Sequence, residues 1–528
     1  MREIHHSDFE QSYASVTDLS EASIADIART HQIPCLAGAL ASIKELSAYV
    51  DGFVVRRYLY ETLQFGSFNL KSPLDGRLVA SKSSIFLANK NTFIFFEDFV
   101  VGVGHVGMGF PIMALIIPQK ALFFKIVDDF WGIKEEQFPA VARILRSFAE
   151  DKGDDSRELQ LLSGDPNFAH HAWNQLSALE AIVDCDLAKF PAQLISTHEP
   201  LGSTQSLFPE LAWWNNYQVP DWKLEVVNKK NQMALPLGGS LIQKKLVNRL
   251  LRFVESNPKS ANTQRIVFRA KNAMGPILWM SLRTRNRTAS NLNEVIIAIG
   301  KRFLSDYPGG FIILDGHSIG CDAETNPGID RAAQLEVVNS DMRAAEEIAL
   351  AFAETGERPS PIELAIGLEI SETIYLAQFA AFYFCHHGTV QHKIGWFSSC
   401  PGVVHSNVRT TESAPAPYVK GQSEVADLPV YVPVKLISEI VSTSSESDVE
   451  NVLKRENYRF NDVPALVRFT CDLIDMKLLG KWQVTTSSGD EDRFKGEPGN
   501  RETDMEVRSY KEPSKFKKLI ERLKGIID

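Results

Sequence analysis

His170 and His171 sit side by side in the stretch Gly164-Asp-Pro-Asn-Phe-Ala-His-His-Ala-Trp-Asn174. An imidazole titrates near neutrality, so either histidine can serve as a general base toward a hydroxyl. A short apolar run ends here and a helical pattern begins. The start of a helix offers free N–H groups and the positive end of the helix dipole. Asn167 can cap that helix or bind ligand, and Asn174 stands one turn beyond His170. A single histidine here would be read as packing or capping; two of them with Asn174 in one turn are harder to explain that way.

Positive charge gathers in Ser281-Leu-Arg-Thr-Arg-Asn-Arg287, after a second apolar run. Arg283, Arg285 and Arg287 suit a diphosphate, because guanidinium groups make paired, charge-assisted bonds to phosphate oxygens. The competing reading is a solvated basic loop; placement at the C-terminal end of a strand favours the ligand. Leu314-Asp-Gly-His-Ser318 also follows a buried run, so Asp315 or His317 can contact ribose, sugar hydroxyls or the acceptor. Asp-Gly is equally a common turn signal. In Cys385-His-His-Gly-Thr-Val-Gln-His-Lys393 a strand runs through a glycine turn into a helix. Gly388 permits close backbone approach, the following N–H groups can hold phosphate, and His387, Thr389 and Lys393 add polar contacts. His386, His387 and His392 lack carboxylate or Cys partners at metal-ligand spacing, so no metal is expected.

Gly102-Val-Gly-His-Val-Gly107 fits GxGxxG, but the dinucleotide fingerprint also needs a crossover helix after the glycines. Gly109, Pro111 and Pro118 interrupt that segment, so a glycine-rich β-turn is expected rather than NAD or FAD binding.

The elements that must position these residues alternate in two series. In the first, strands are predicted at 158–162, 192–197 and 222–227, with helices at 168–183 and 202–211 between them. Ser240 then precedes a long helix with the apolar stripe Leu241, Ile242, Leu246, Val247, Leu250, Leu251 and Val254. In the second series, strands at 276–282, 311–314 and 381–385 alternate with helices at 291–304, 341–353 and from 390 onward; Ser290 and Ser340 stand at two helix starts. Such alternation implies parallel strands with right-handed crossovers. Two units of this kind favour a ligand at strand C-terminal ends, in the crevice between them.

The expected fold class is α/β, with two Rossmann-like lobes, a β-rich N-terminal region and a C-terminal amphipathic helix. The expected segments are a β-rich region at 1–150, a first lobe at 151–240, a connecting helix at 241–260 and a second lobe at 261–484. A polar linker follows at 485–513. The last segment, 514–528, carries Phe516, Leu519, Ile520, Leu523 and Ile527 on one helical face with Lys and Arg opposite. That pattern suits either a peripheral membrane contact or docking onto the protein itself.

With 528 residues, 44% hydrophobic and 23% charged, the chain can bury sizeable cores. A net charge of −10 argues against nucleic acid as a general partner. Six scattered cysteines without a CxxC pair suit a reducing cytoplasm, and no apolar run approaches the roughly 20 residues that span a bilayer.

Taken in order, these stretches resemble the bacterial members of glycosyltransferase family sixty-one and its relatives over residues 155–410. Asn167-Phe-Ala-His170-His171-Ala-Trp173 is similar to the family's first helix start. Ser281-Leu-Arg283, Arg287 and Asn293-Glu294 resemble its Ser-Arg-Arg-like strand end, and His387-Gly388-Thr389 its His-Gly turn. The turn departs from the family pattern in lacking a second Gly and the Asn, and Trp173 stands two residues after His171. The resemblance implies a GT-B-type fold and an inverting, metal-independent transfer from a nucleotide sugar. The nucleotide sugar is a co-substrate, so no cofactor is expected, and the acceptor is a glycan, polysaccharide or lipid-linked saccharide. With the residue readings above, the expected catalytic residues are His171, or failing that His170, as base, and Asp315; the expected binding residues are Asn167, Asn174, Arg283, Arg285, Arg287, His317, His387, Gly388, Thr389 and Lys393. The rival readings are a non-catalytic interaction protein that kept the fold, and a hydrolase or oxidoreductase using the His-rich turns; the missing GxSxG elbow weakens the hydrolase.

Overall fold

The computed structural model describes residues 11–13, 18–87, 91–127, 133, 158–220, 232–257, 259–285, 287–353, 360–440 and 457–478. The predicted strand at 222–227, the linker at 485–513 and the C-terminal helix at 514–528 lie outside them. The chain is mixed α/β with parallel sheets. It divides into two compact units: Met1–Ser256 together with Gly320–Arg331, and Asn257–Ile319 together with Ala332–Asp528.

The first unit begins with β1 (Gln11–Tyr13) and then three helices, α1 (Glu21–His31), α2 (Leu36–Ser47) and α3 (Arg57–Phe65). These helices are absent from the sequence-based expectation of a β-rich start. Ser20 caps α1 by accepting from the Ser23 N–H. The strands follow: β2 (Asn69–Lys71), β3 (Leu78–Ala80), β4 (Ser83–Leu87), β5 (Asn91–Phe95), β6 (Val100–Val103), β7 (Ile112–Ile117) and β8 (Leu122–Lys125). A six-stranded sheet runs β1-β8-β7-β6-β5-β4, antiparallel except where β1 joins β8. The Gly102–Gly107 segment spans the end of β6 and its turn toward antiparallel β7, with no crossover helix.

The first parallel sheet uses β9 (Glu158–Ser163), β10 (Gln193–Ser196), β11 (Asn215–Gln218) and β12 (Gln232–Pro236), in the order β11-β10-β9-β12. Between β9 and β10 runs the helix α4 (168–184), whose turns over His171–Leu176 widen to a π-helix. Such bulges are frequent at functional sites. The short α5 (Thr204–Leu207) connects β10 to β11. Then α6 (Lys244–Ser256) starts three residues later than its apolar stripe suggests, and the Ser240 carbonyl instead accepts from Trp173 Nε1.

The second unit opens with α7 (Ala261–Lys271), capped by Ser260. Its six-stranded sheet comprises β13 (Ile277–Ser281), β14 (Phe311–Asp315), β15 (Ile362–Ala365), β16 (Phe382–His386), β17 (Gly402–His405) and β18 (Val430–Tyr431). Every pairing is parallel, and the order is β15-β14-β13-β16-β17-β18. Numbered within the unit this is 3-2-1-4-5-6, the doubly wound order whose switch point lies between β13 and β16. Both strands are buried along their length, as parallel sheets covered on two faces require.

Helices α8 (Leu292–Asp306), α9 (Arg331–Leu350), α10 (Ile370–Ala377) and α11 (Thr389–Gly395) accompany the strands. On α8 the residues Leu292, Val295, Ile296, Ile299 and Phe303 are buried, the spacing of one helical face. Each such burial is worth roughly 1.5–3 kcal/mol. Asn291, not Ser290, occupies the N-cap of α8. Helix α9 begins ten residues before the expected Asp341, so Ser340 lies mid-helix rather than at a start. The last elements are the hairpin β19 (Ile437–Ile440) and β20 (Asn457–Phe460), and α12 (Val463–Leu478), which packs with α8.

Candidate functional site

In the first unit the loop after β9 and the start of α4 form one hydrogen-bonded group. The Asn167 side chain caps α4 by accepting from Ala169 N–H at 3.1 Å, and Asp165 accepts from Asn167 N–H at 2.9 Å. His170 Nδ1 lies 3.0 Å from Asn174 Oδ1, while Asn174 Nδ2 donates to the Gly239 carbonyl at 2.8 Å. A carbonyl only accepts, so Asn174 presents its oxygen to His170 and the proton sits on His170 Nδ1. That leaves Nε2 as the lone-pair nitrogen of the neutral ring.

His171 is held the same way one residue on. Its Nδ1 is 3.0 Å from Gln175 Oε1, which also accepts from Gly164 N–H at 2.8 Å. Its ring is fully buried, and its Nε2 has no partner among the described residues. Burial pulls the His171 imidazole below its ordinary pKa, although the Gln175 bond opposes this. His170 is only half-buried, so of the two it is the one open to a ligand.

Gly164 fixes this arrangement, with φ at +111° and a position where a Cβ would stand 2.4 Å from the Thr197 nitrogen. Gly164→Ala is expected to destabilise the protein by about 1–3 kcal/mol, the cost of a strained backbone and a displaced loop. Urea unfolding measures it; an unchanged midpoint would show that the loop relaxes freely.

The loop after β10 adds residues that sequence reading passed over. Asp322 accepts from Glu199 N–H at 2.7 Å, and Asn326 donates to the Thr197 carbonyl at 2.6 Å. Asn326 Nδ2 also stands 3.2 Å from His198 Nδ1. Asp322 and Asn326 are far away in sequence, on the Gly320–Arg331 excursion that folds with this unit, which is why spacing gave no signal.

In the second unit, β13 and β16 deliver their residues to the switch point. Ser281, the last residue of β13, accepts from His386 N–H at 3.0 Å. His386 Nε2 lies 2.7 Å from the Arg287 carbonyl, and Arg287 takes a left-handed φ of 53°. Arg283 is half-buried, with Nε donating to the Arg285 carbonyl at 3.1 Å, while the Arg285 side chain is exposed. Burial, and then the neighbouring Arg287, bring the Arg283 guanidinium down to about 10, still charged at neutral pH. His387 Nδ1 is 2.6 Å from the Tyr431 hydroxyl, and Gly388 has φ +100°, a conformation that favours glycine. Thr389 opens α11 beside it, partly exposed.

His405 ends β17, with Nδ1 2.5 Å from the Tyr458 hydroxyl and Nε2 buried without a partner among the described residues. Burial lowers all three imidazoles here: His386 falls well below the usual value, His387 to about 4 and His405 to about 3. The groups that add to this at His386 are Arg283, His405, Arg287 and His387, of which the two guanidiniums carry charge at neutral pH. Three imidazoles and two guanidiniums thus crowd the C-terminal ends of β13, β16 and β17. His386 is weighed in the sequence only as an unsuited metal ligand, and His405, Tyr431 and Tyr458 are absent from the sequence-based candidates; the run Gly402-Val-Val-His405-Ser-Asn407, apolar and then capping, is the signal for the strand that carries His405.

The remaining candidates lie beside this group and are internally engaged. Lys393 Nζ donates to Asp315 Oδ1 at 2.6 Å, to the Gly316 carbonyl at 2.7 Å and to Ser318 Oγ at 3.0 Å, with both ionic side chains buried. Asp315 Oδ2 has no partner among the described residues. The His317 N–H donates to Asp341 Oδ2 at 2.8 Å, and Thr284 donates to the other oxygen of Asp341 at 2.6 Å. Burial, then Lys393, lowers the His317 imidazole. Among the described residues no group of three or more His, Cys, Asp and Glu is placed to hold a metal ion, and no helix is long and apolar enough to cross a membrane.

These two units define an α/β protein with parallel sheets, the second sheet doubly wound and bearing a cationic cluster at its switch point. No family model matches the sequence, and no curated protein matches it. Solved structures with some likeness include an S. aureus MnaA–UDP co-structure (15% identity, 58% of this chain and 69% of that one, TM-score 0.21). Others are the UDP-GlcNAc 2-epimerase from Methanocaldococcus jannaschii (11%, 57% and 72%, 0.25) and the trehalose-6-phosphate synthase OtsA (9%, 53% and 64%, 0.22). The strand order within this chain, not these likenesses, carries the class of fold.

Proposed function

We propose that this protein transfers a sugar from a nucleotide-sugar donor to a hydroxyl of a glycan or lipid-linked saccharide, with inversion and without a metal. The observation that carries the reading is the cationic cluster at the switch point of the second unit. A doubly wound sheet takes its ligand there, and Arg283, Arg287 and His387 offer the charge and donors that a diphosphate needs. In this reading the acceptor hydroxyl gives its proton to a neutral imidazole as its oxygen bonds to the anomeric carbon, a role for which His170 Nε2 has the right tautomer. The bond from that carbon to the diphosphate breaks, and the electron pair leaves with the nucleoside diphosphate, whose charge the guanidiniums stabilise. Asn174 holds the base in its tautomer, and Asn167 holds the helix that carries it. Gly388 and Thr389 border the phosphates; Asp315, His317 and Lys393 support the strand ends from behind.

Isothermal calorimetry with UDP and GDP tests this. Arg283→Ala and Arg287→Ala are each expected to weaken binding by about 1.5–3 kcal/mol, the range for a charge-assisted hydrogen bond. Unchanged affinity in both variants overturns the assignment of the donor to this unit.

A further inference from the structure

The first unit's parallel sheet carries a second polar surface, at its β11 edge. Among the described residues β11 is its edge strand, and the segment 211–219 leading through it reads Leu-Ala-Trp-Trp-Asn-Asn-Tyr-Gln-Val, without a charged residue. Two large aromatics of this segment face solvent, Trp213 at 53% and Tyr217 at 49% exposure. Trp214 between them is buried and anchored, its Nε1 donating to the Phe190 carbonyl at 3.0 Å, so the anchoring of one indole leaves the other outside.

Parallel register places Asn215 beside Gln193 and Gln193 beside Gln160. Residues in register share a face of the sheet, so three amides form a row running inward from the edge. Gln160 Nε2 lies 3.3 Å from Gln193 Oε1, and Gln160 Oε1, at 2% exposure for the residue, has no partner among the described residues. Tyr217, two residues after Asn215, stands on the same face as that row.

We infer that this edge binds a neutral oligosaccharide, with Trp213 and Tyr217 stacking on pyranose rings and the amides of Asn215 and Gln193 pairing with ring hydroxyls. The chemistry selects that ligand. An aromatic face accepts the C–H face of a sugar ring, and exposed Trp and Tyr suit surfaces that are apolar on one side and wet on the other. An amide both donates and accepts, as neighbouring hydroxyls do. The segment 211–219 itself supplies no cation to hold a phosphate or a nucleic acid backbone. The inference deepens the transfer reading by giving its acceptor a class, and it rests on that reading only for the acceptor's role.

Affinity electrophoresis of the full chain in native gels containing dextran, galactomannan or xyloglucan tests it. At least one polysaccharide is expected to retard the wild type. Trp213→Ala and Tyr217→Ala are expected to bind about tenfold more weakly, equivalent to roughly 1.4 kcal/mol for a lost stacking contact. Gln218→Ala, on the opposite face of β11, is expected to be retarded like the wild type. No retardation of the wild type, or equal retardation of all variants, overturns the proposal. A wild type that dimerises and is made monomeric by Trp213→Ala overturns it too, since the strip is then a protein contact. Nucleotide affinity by calorimetry on the same variants is expected to be unchanged, so failure here stays separate from failure of the donor site.

Discussion

His170→Ala is expected to lower turnover about 10²–10⁴-fold, the loss typical for a general base, with little change in nucleotide affinity. Tautomer and access together single out His170. Asn174 Nδ2 is committed to the Gly239 carbonyl, so its oxygen takes the proton of His170 Nδ1 and Nε2 is left to accept another. His170 is half-buried and Trp173 lies along its ring at 6.2 Å between centroids, which narrows its freedom without enclosing it. His171 has the same tautomer by the same logic through Gln175, but its ring is fully buried. His171→Ala is therefore expected to cost stability before it costs chemistry. The measurement is release of nucleoside diphosphate from whichever nucleotide sugar binds most tightly, with unfolding followed in parallel. Near-normal turnover in His170→Ala sinks the assignment; a rate loss confined to His171→Ala in a stably folded protein moves the base to that residue.

The second unit was the more legible in sequence. Leu278, Trp279 and Met280, Ile312 to Leu314, and Phe382 to Phe384 are runs of buried residues bounded by turn signals, and each forms a strand. Arg283, Arg287 and His387 converge because they follow the strands on either side of the switch point, a consequence of topology that spacing alone does not state. His405 escaped because β17 has only four residues, and Tyr458 because it arrives from a hairpin far along the chain. The start of α9 escaped because Arg331–Glu336 is polar or exposed and shows no apolar stripe. In the first unit, helices α1 and α3 have a low mean hydropathy and were hidden by the aromatic strands that follow. The segment Gly320–Arg331 folds with residues more than a hundred positions earlier, which no local pattern can announce.

Lys393 shows most clearly how distance changes a residue's meaning. Its place after a glycine turn invites a phosphate, yet its ammonium reaches inward from α11 to Asp315, the Gly316 carbonyl and Ser318. Removing one partner of a buried ion pair leaves the other charge uncompensated, at a cost of about 3–5 kcal/mol. Lys393→Met, which keeps the length and apolar character of the side chain, is expected to lose that much stability at pH 8. The sign of the pH dependence follows from Asp315. Burial outweighs Lys393 and raises the Asp315 carboxyl from 3.8 to about 6. A raised folded-state value means that the carboxyl's contribution to stability is full below about 3.8 and is lost as pH climbs through about 6. Without Lys393 the opposing attraction is gone and the carboxyl rises further, so at pH 5 it is protonated and leaves no charge stranded. Urea unfolding at pH 5 and pH 8 is therefore expected to show a small deficit at the lower pH and the full deficit at the higher. Equal deficits at both would mean that Lys393 acts through packing alone, and the ion pair would then have no part in fixing the strand ends behind Arg283 and His386.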